Sequence, residues 1–275
     1  MISSYFRSAW RHVRRSPGFC FLAITLLALG IGISTTIFTV ARAALLRPLP
    51  VRNAHSVVQL FERYPSIRPQ TYLPVSLYED IRAHSAAFSE AMGQLEMSAP
   101  LEKDQILERV DVDLVTDNFL SSLVLNTAEG RVFGPADDHV VALSYGAWSR
   151  FFQRDPLIAG RTIRLAGQVF QIVGVTSEAF NGISVELSPD FFVPFRDLND
   201  FLSEANNDQN LRYLEIIGRL RPSTSPNQAK LEIEPMWRRD RASFAAPNSN
   251  AERQVQLEVR SIEFGSSSNR CNRGK

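Results

Sequence analysis

The 275 residues sum to a formal charge of +1, but the balance hides a split. Residues 1–61 carry seven arginines and no acidic residue, whereas residues 62–275 hold all 29 acids with the other 23 bases. The larger part is thus mildly acidic and lacks the basic stripe of a nucleic-acid binder. The two cysteines, Cys20 and Cys271, provide no disulfide framework. The length permits one large domain or two small ones.

In chain order, the leader comes first. Tyr5, Phe6, Ala9, Trp10 and Val13 fall at helical spacing, and Arg7, Arg11, Arg14 and Arg15 take much of the remaining surface. That pattern suits a short helix in the headgroup plane, with Trp10 at the interface and the arginines toward anionic lipid. A disordered basic leader is the alternative. Residues 16–41 then form a charge-free run of 26 residues between Arg15 and Arg42. As a helix this run reaches about 39 Å, enough for a hydrocarbon core of about 30 Å. It is too long for the apolar core of a cleaved signal, and Ala41-Arg42-Ala43 is a poor cleavage site. It also lacks the polar face of a core helix. The flanking arginines favour a cytoplasmic N-terminus, with Arg42, Arg47 and Arg52 on the far side. Within the run, Ala28, Gly30, Gly32 and Ser34 make two small-xxx-small spacings, which let another helix approach closely.

After Pro48 and Pro50 the sequence predicts a strand at 57–62, a loop at 65–74 and a helix at 76–91 opened by a Ser76/Glu79 capping box. Strands follow at 94–98 and 108–115. In the second, Val110, Val112 and Leu114 alternate with Asp111 and Asp113, so one face is buried. A short helix at 117–123, a strand at 139–143 and a helix at 145–152 come next. Two β-rich runs meeting at Ala166-Gly167 predict a hairpin over 161–175. A strand at 211–220 precedes a helix at 228–244 with Ala229, Ile233 and Trp237 on its apolar side. Irregular alternation with hairpins argues an α+β fold rather than a parallel doubly wound sheet.

Candidate chemistry is thin. Ala142-Leu-Ser144-Tyr-Gly146 resembles a nucleophile elbow with Ala in the first place, between a strand and a helix. The bland alternative makes Ser144 the cap of the following helix. The histidines, His12, His55, His84 and His139, all precede Ser144, so none can follow it as the catalytic base of an α/β-hydrolase. Asp137-Asp138-His139 offers metal-ligating groups, but nothing close in sequence completes a site, and a solvated turn is expected. No phosphate-binding loop occurs, so any ATP-driven work must be powered by another chain.

Three stretches carry a resemblance: Trp10-Arg-His-Val-Arg-Arg-Ser-Pro-Gly-Phe, the apolar run ending Leu27-Ala-Leu-Gly-Ile-Gly-Ile-Ser-Thr-Thr-Ile-Phe, and Ala44-Leu-Leu-Arg-Pro-Leu-Pro. They resemble the start of MacB/FtsX-type ABC transporter permeases, closest to the duplicated orphan permeases of acidobacteria. The rest is similar to that family's periplasmic core domain, through Asp117-Asn-Phe-Leu, Gly130-Arg-Val-Phe, Leu143-Ser-Tyr-Gly-Ala-Trp, Asp155-Pro-Leu-Ile-Ala-Gly-Arg-Thr-Ile, Val173-Gly-Val, Phe192-Val-Pro-Phe and Gly218-Arg-Leu-Arg-Pro. The family continues into at least three further membrane helices, and residues 265–275 contain no apolar run, so the chain is expected to be truncated.

The resemblance implies a leader at 1–15, a transmembrane helix at 16–44, a MacB-like periplasmic core domain at 50–260 and an irregular tail at 261–275. It implies a non-catalytic part of a permease of the cell inner membrane. Its domain couples to a separate ABC ATPase for export or mechanotransmission. The expected partners are membrane lipid, that ATPase, and other permease helices or further copies of the chain, with no nucleic acid. No catalytic, cofactor or metal residue is expected. Ala28, Gly30, Gly32 and Ser34 are the expected helix-packing positions, and Trp10, Arg11, Arg14 and Arg15 the membrane-interface positions. A single-pass anchored binding or sensing module and a non-functional permease fragment are the alternatives.

Overall fold

The computed structural model describes residues 17–45, 54–65, 67–103, 106–180, 182–183, 188–201, 213–244 and 254–262. Its contacts separate an N-terminal unit, ending at Arg47, from a unit that begins at Pro48. The first contains helix α1 (Pro17–Leu45), 29 residues and therefore about 43 Å long. Among the residues whose side chains are described, no helix is long and apolar enough to cross a membrane. Their longest unbroken stretch in α1, residues 24–36, covers only about 20 Å.

The second unit is mixed α+β, built on one 11-stranded sheet. Its strands are β1 (Val57–Arg63), β2 (Tyr72–Pro74), β3 (Phe88–Lys103), β4 (Ile106–Val115), β5 (Thr127–Gly130), β6 (Val140–Leu143), β7 (Thr162–Leu165), β8 (Gln168–Thr176), β9 (Phe191–Pro194), β10 (Tyr213–Leu220) and β11 (Gln256–Ser261). The helices between them are α2 (Val75–His84), α3 (Phe119–Leu123), α4 (Tyr145–Phe152), α5 (Leu198–Phe201) and α6 (Pro226–Phe244). The order across the sheet is β11-β1-β10-β3-β4-β9-β6-β8-β5. Pairing is antiparallel except for β4 with β9 and β6 with β8.

Strand β3 organises this sheet because it is 16 residues long and serves two neighbourhoods. Its first half pairs with β10, and from Gln94 onward it pairs with β4. Near its end, Leu101 and Glu102 pair with Leu165 and Arg164 of β7. Since β7 also pairs with β8, the strands β3-β4-β9-β6-β8-β7 close a ring. Beside the ring, β1, β10 and β11 form an open wing.

Each neighbourhood has its own core. On the wing, Val58, Leu60, Leu214, Ile216 and Leu257 face Leu77 and Ile81 of α2 and Ala229, Ile233 and Trp237 of α6. The alternation of these strands and the 3–4 residue spacing of the helices place every one of these side chains on the inner face. Helix α6 continues through Pro235, with Ile233 and Trp237 buried on either side of it. The second core gathers Leu95, Val112, Leu114, Val141, Leu143, Phe170, Ile172, Phe191 and Val193 of the ring with Ala147, Trp148 and Phe151 of α4.

Two expected elements differ. The helix foreseen at 76–91 starts at Val75 without a side-chain cap and stops at His84. The Ser76 hydroxyl donates instead to the Asp240 carboxylate of α6. At the other end, Glu232 of α6 accepts hydrogen bonds from the Ser85 hydroxyl and from the backbone N–H groups of Ala86 and Ala87. That carboxylate turns the chain into β3, and it lies more than 140 residues away in sequence. The loop foreseen at 65–74 contains the short β2, which pairs with β10. The expected hairpin is present. Ala166 (φ 52°) and Gly167 (φ 81°) both adopt the left-handed conformation that a two-residue turn with right-handed strand twist demands.

Candidate functional site

The side chains described along α1 are exposed, and they are apolar all round: Phe21, Leu22, Ile24, Leu26, Leu27, Leu29, Ile31, Ile33 and Phe38 are each more than half exposed. A helix without a polar face needs an apolar environment on every side. Three of its threonine hydroxyls are already satisfied. Thr25 donates to the Phe21 carbonyl at 2.8 Å, Thr35 to Ile31 at 2.7 Å and Thr36 to Gly32 at 2.8 Å. In a medium with no water these bonds remove the penalty of an unpaired polar group. Thr25, Ala28, Leu29, Gly32, Ile33 and Thr36 share one grooved face of the helix. A Cβ added at Gly30 or Gly32 would meet nothing within 4 Å. At 100° per residue, Gly30 and Ser34 lie about 200° around the helix from Ala28 and Gly32, so the small residues mark two faces rather than one. Trp10, Arg11, Arg14 and Arg15 lie outside the described residues.

In the second unit, Ser144 is the cap of α4. It is 3 % exposed, and its Oγ accepts the Ala147 N–H at 3.1 Å. One of the two lone pairs of that hydroxyl is thus used to cap the helix. The Asp137-Asp138-His139 segment divides into different roles. Asp137 accepts two hydrogen bonds from Arg131, at 2.7 and 2.5 Å, and one from the Gly134 N–H. Those bonds hold its carboxyl down at about 2 and make it the clasp of a surface turn. His139 instead reaches across the fold. Its Nδ1 lies 3.4 Å from Asp200 Oδ2, and its donor atoms, those of Asp200 and those of Asp197 all come within 4.8 Å of one another. Asp197 is buried, and burial pushes its carboxyl up to about 6. Neither Asp197 nor Asp200 drew attention in the sequence. Their i, i+3 spacing is a weak signal, and His139 lies 58 residues upstream of Asp197.

A second polar cluster lies where β3 passes from β10 to β4. Glu215 accepts hydrogen bonds from Gln59 at 3.3 Å and Gln94 at 3.0 Å. Its carboxyl is raised, chiefly by burial. Asp113 stands on the same face of the sheet, opposite Glu96. Burial, reinforced by the charges of Glu96, Glu215 and Asp111, pushes it well above the usual carboxylate range. Near β9, Asp190 ties three elements together. Its N–H donates to the Asp111 carbonyl and its carbonyl accepts from Ser144 N–H. Its carboxylate takes Arg150 at 2.7 Å and the Asp111 N–H at 3.2 Å.

Comparison with curated protein sequences finds no match. Solved structures with a similar fold include domains of permeases and ABC-type transporters. One is a domain of a putative permease from Porphyromonas gingivalis, at 14 % identity and TM-score 0.56 over 78 % of this chain and 94 % of that one. Another is the periplasmic region of MacB from Actinobacillus actinomycetemcomitans, at 13 % and 0.55 over 80 % and 94 %. A third is the extracellular domain of the noncanonic ABC-type transporter YknZ from Gram-positive bacteria, at 11 % and 0.54 over 73 % and 98 %. At these identities the likeness is one of fold. The sequence profile of the MacB-like periplasmic core domain, however, matches residues 20–236, most of the chain, and begins inside α1. The chain belongs to the family of the MacB-like periplasmic core domain of ABC transporter permeases.

Proposed function

We propose that this chain is the membrane-anchored N-terminal part of an ABC transporter permease of the cell inner membrane. Helix α1 crosses the bilayer with the arginine-rich leader on the cytoplasmic side, and residues 50–260 form the domain on the periplasmic side. Trp10, Arg11, Arg14 and Arg15 hold the leader at the lipid headgroups. Ala28 and Gly32 on one face, and Gly30 and Ser34 on the other, receive neighbouring helices from the permease or from further copies of the chain. The domain catalyses no reaction and moves with the cycle of a separate ATPase, for export or mechanotransmission.

The observation that carries this reading is the junction of a 29-residue helix, free of charged side chains up to Arg42, with a domain of the MacB-like family. An apolar surface of that length is costly in water, at about 25 cal/mol for each Å² exposed, and a bilayer removes the cost. Purification of the tagged full chain from native membranes in mild detergent tests the coupling. An ABC ATPase is expected in the purified material, and its yield is expected to fall when Ala28 and Gly32 are both replaced by leucine. Recovery of the chain without any ATPase would favour the anchored binding module.

A further inference from the structure

We propose that His139, Asp197 and Asp200 bind a divalent transition-metal ion of the zinc class. The three residues come together because β6 and β9 run antiparallel, with Ala142 opposite Phe192 and Leu143 opposite Phe191. The start of β6, where His139 sits, is thereby placed beside the exit of β9. There the chain enters the short turn Phe195–Asp197 and then α5, setting Asp197 and Asp200 three residues apart on one side.

The spacing suits an ion. Two ligands bound at about 2.0–2.1 Å around a tetrahedral centre lie roughly 3.4 Å from each other. His139 Nδ1 and Asp200 Oδ2 are 3.4 Å apart, and one ligand atom from each of His139, Asp197 and Asp200 lies within 4.8 Å of the other two. The second observation is independent of that spacing. Asp197 is 5 % exposed, and its Oδ2 is fully buried with no hydrogen-bond partner among the described residues. A buried carboxylate oxygen in that state is destabilising unless a cation or donor meets it. The neighbouring cation does not: Arg196 gives its guanidinium to Asp117 and to the carbonyls of Gly134 and Pro135. Asp138 adds further negative charge nearby.

The imidazole is held in place. His139 has φ 47°, its carbonyl accepts the Gln171 N–H at 2.9 Å, and its ring lies 5.8 Å from that of Phe170, which in turn packs on Phe201. One nitrogen and two carboxylates form a donor set for zinc, cobalt or manganese rather than for calcium or magnesium, which take oxygen ligands. The His139 side chain is 52 % exposed, so solvent reaches the site and a fourth position is open to water. The site is independent of the transport reading, and each can fail without the other.

The test uses the metal-free full chain in detergent, with Cys20→Ser and Cys271→Ser to remove thiolate ligands. Co²⁺ is titrated near neutral pH while the visible d–d absorption is followed, and Zn²⁺ is then added to displace it. One Co²⁺ per chain is expected. Binding about tenfold weaker or more is expected in His139→Ala and in Asp197→Asn. Unchanged binding is expected in His84→Ala, whose imidazole lies on α2. Circular dichroism establishes that each variant is folded. Absence of the d–d band at millimolar Co²⁺, or equal binding in His139→Ala and Asp197→Asn, would overturn the proposal and leave an imidazole–carboxylate pair only.

Discussion

Asp113 is 3 % exposed on β4, and burial raises its carboxyl well above the ordinary range. A carboxyl whose native pKa is raised binds its proton more tightly folded than unfolded. Stability is therefore full below the ordinary carboxylate range and falls as pH rises toward the native value. Glu215 acts in the same direction. The domain is expected to melt at a higher temperature at pH 5 than at pH 8. Asp113→Asn keeps the shape and removes the charge, so it should raise Tm at neutral pH and flatten that dependence; thermal melts across the range check both. A Tm that rises with pH from 5 to 8 would contradict the assignment. Ser144→Ala removes the α4 cap and is expected to cost about 1 kcal/mol in urea unfolding. Asp190→Ala frees Arg150 and the Asp111 N–H, and should cost about 2 kcal/mol. Of these residues, only Ser144 had its role legible in the sequence, because a cap is a local feature. The burial of Asp113 against Glu96 and Glu215, and the meeting of His139 with Asp197, depend on strand pairings that no short window of sequence contains.

At the scale of elements, what was legible followed local signals. Helix α4 and the β7–β8 hairpin were foreseen nearly residue for residue, since a cap and a left-handed turn are written in consecutive positions. Strand β9, Phe-Phe-Val-Pro, was missed as a strand because all four residues are buried and nothing alternates. The end of α2 was misplaced because Glu232 sets it from a distant helix. The hairpin turn also gives a test. Ala166 at φ 52° carries the penalty of a Cβ in the left-handed region. Ala166→Asn should stabilise the domain by about 1 kcal/mol in chemical denaturation. In the opposite direction, a Cβ at Gly174 would lie 2.3 Å from the Arg131 carbonyl oxygen, inside the β5–β8 pairing. Gly174→Ala is expected to destabilise by more than 2 kcal/mol, by the same measurement.

For the whole molecule, the central device is β3, a single strand shared by the ring and the wing. Each half has its own core, yet the backbone hydrogen-bond ladder between them is continuous. The proposed mechanotransmission calls for such a frame. The central claim is that α1 spans the bilayer and delivers residues 50–260 to the periplasm. Its most direct test places a reporter after residue 262 of the chain expressed in a Gram-negative cell. Alkaline phosphatase, which is active only outside the cytoplasm, should be active there. A green fluorescent protein exported by the Sec route to the same side should stay dark, and the chain should remain in the membrane through carbonate extraction. Inactive phosphatase with a fluorescent partner fusion, or release of the chain by carbonate, would contradict the account.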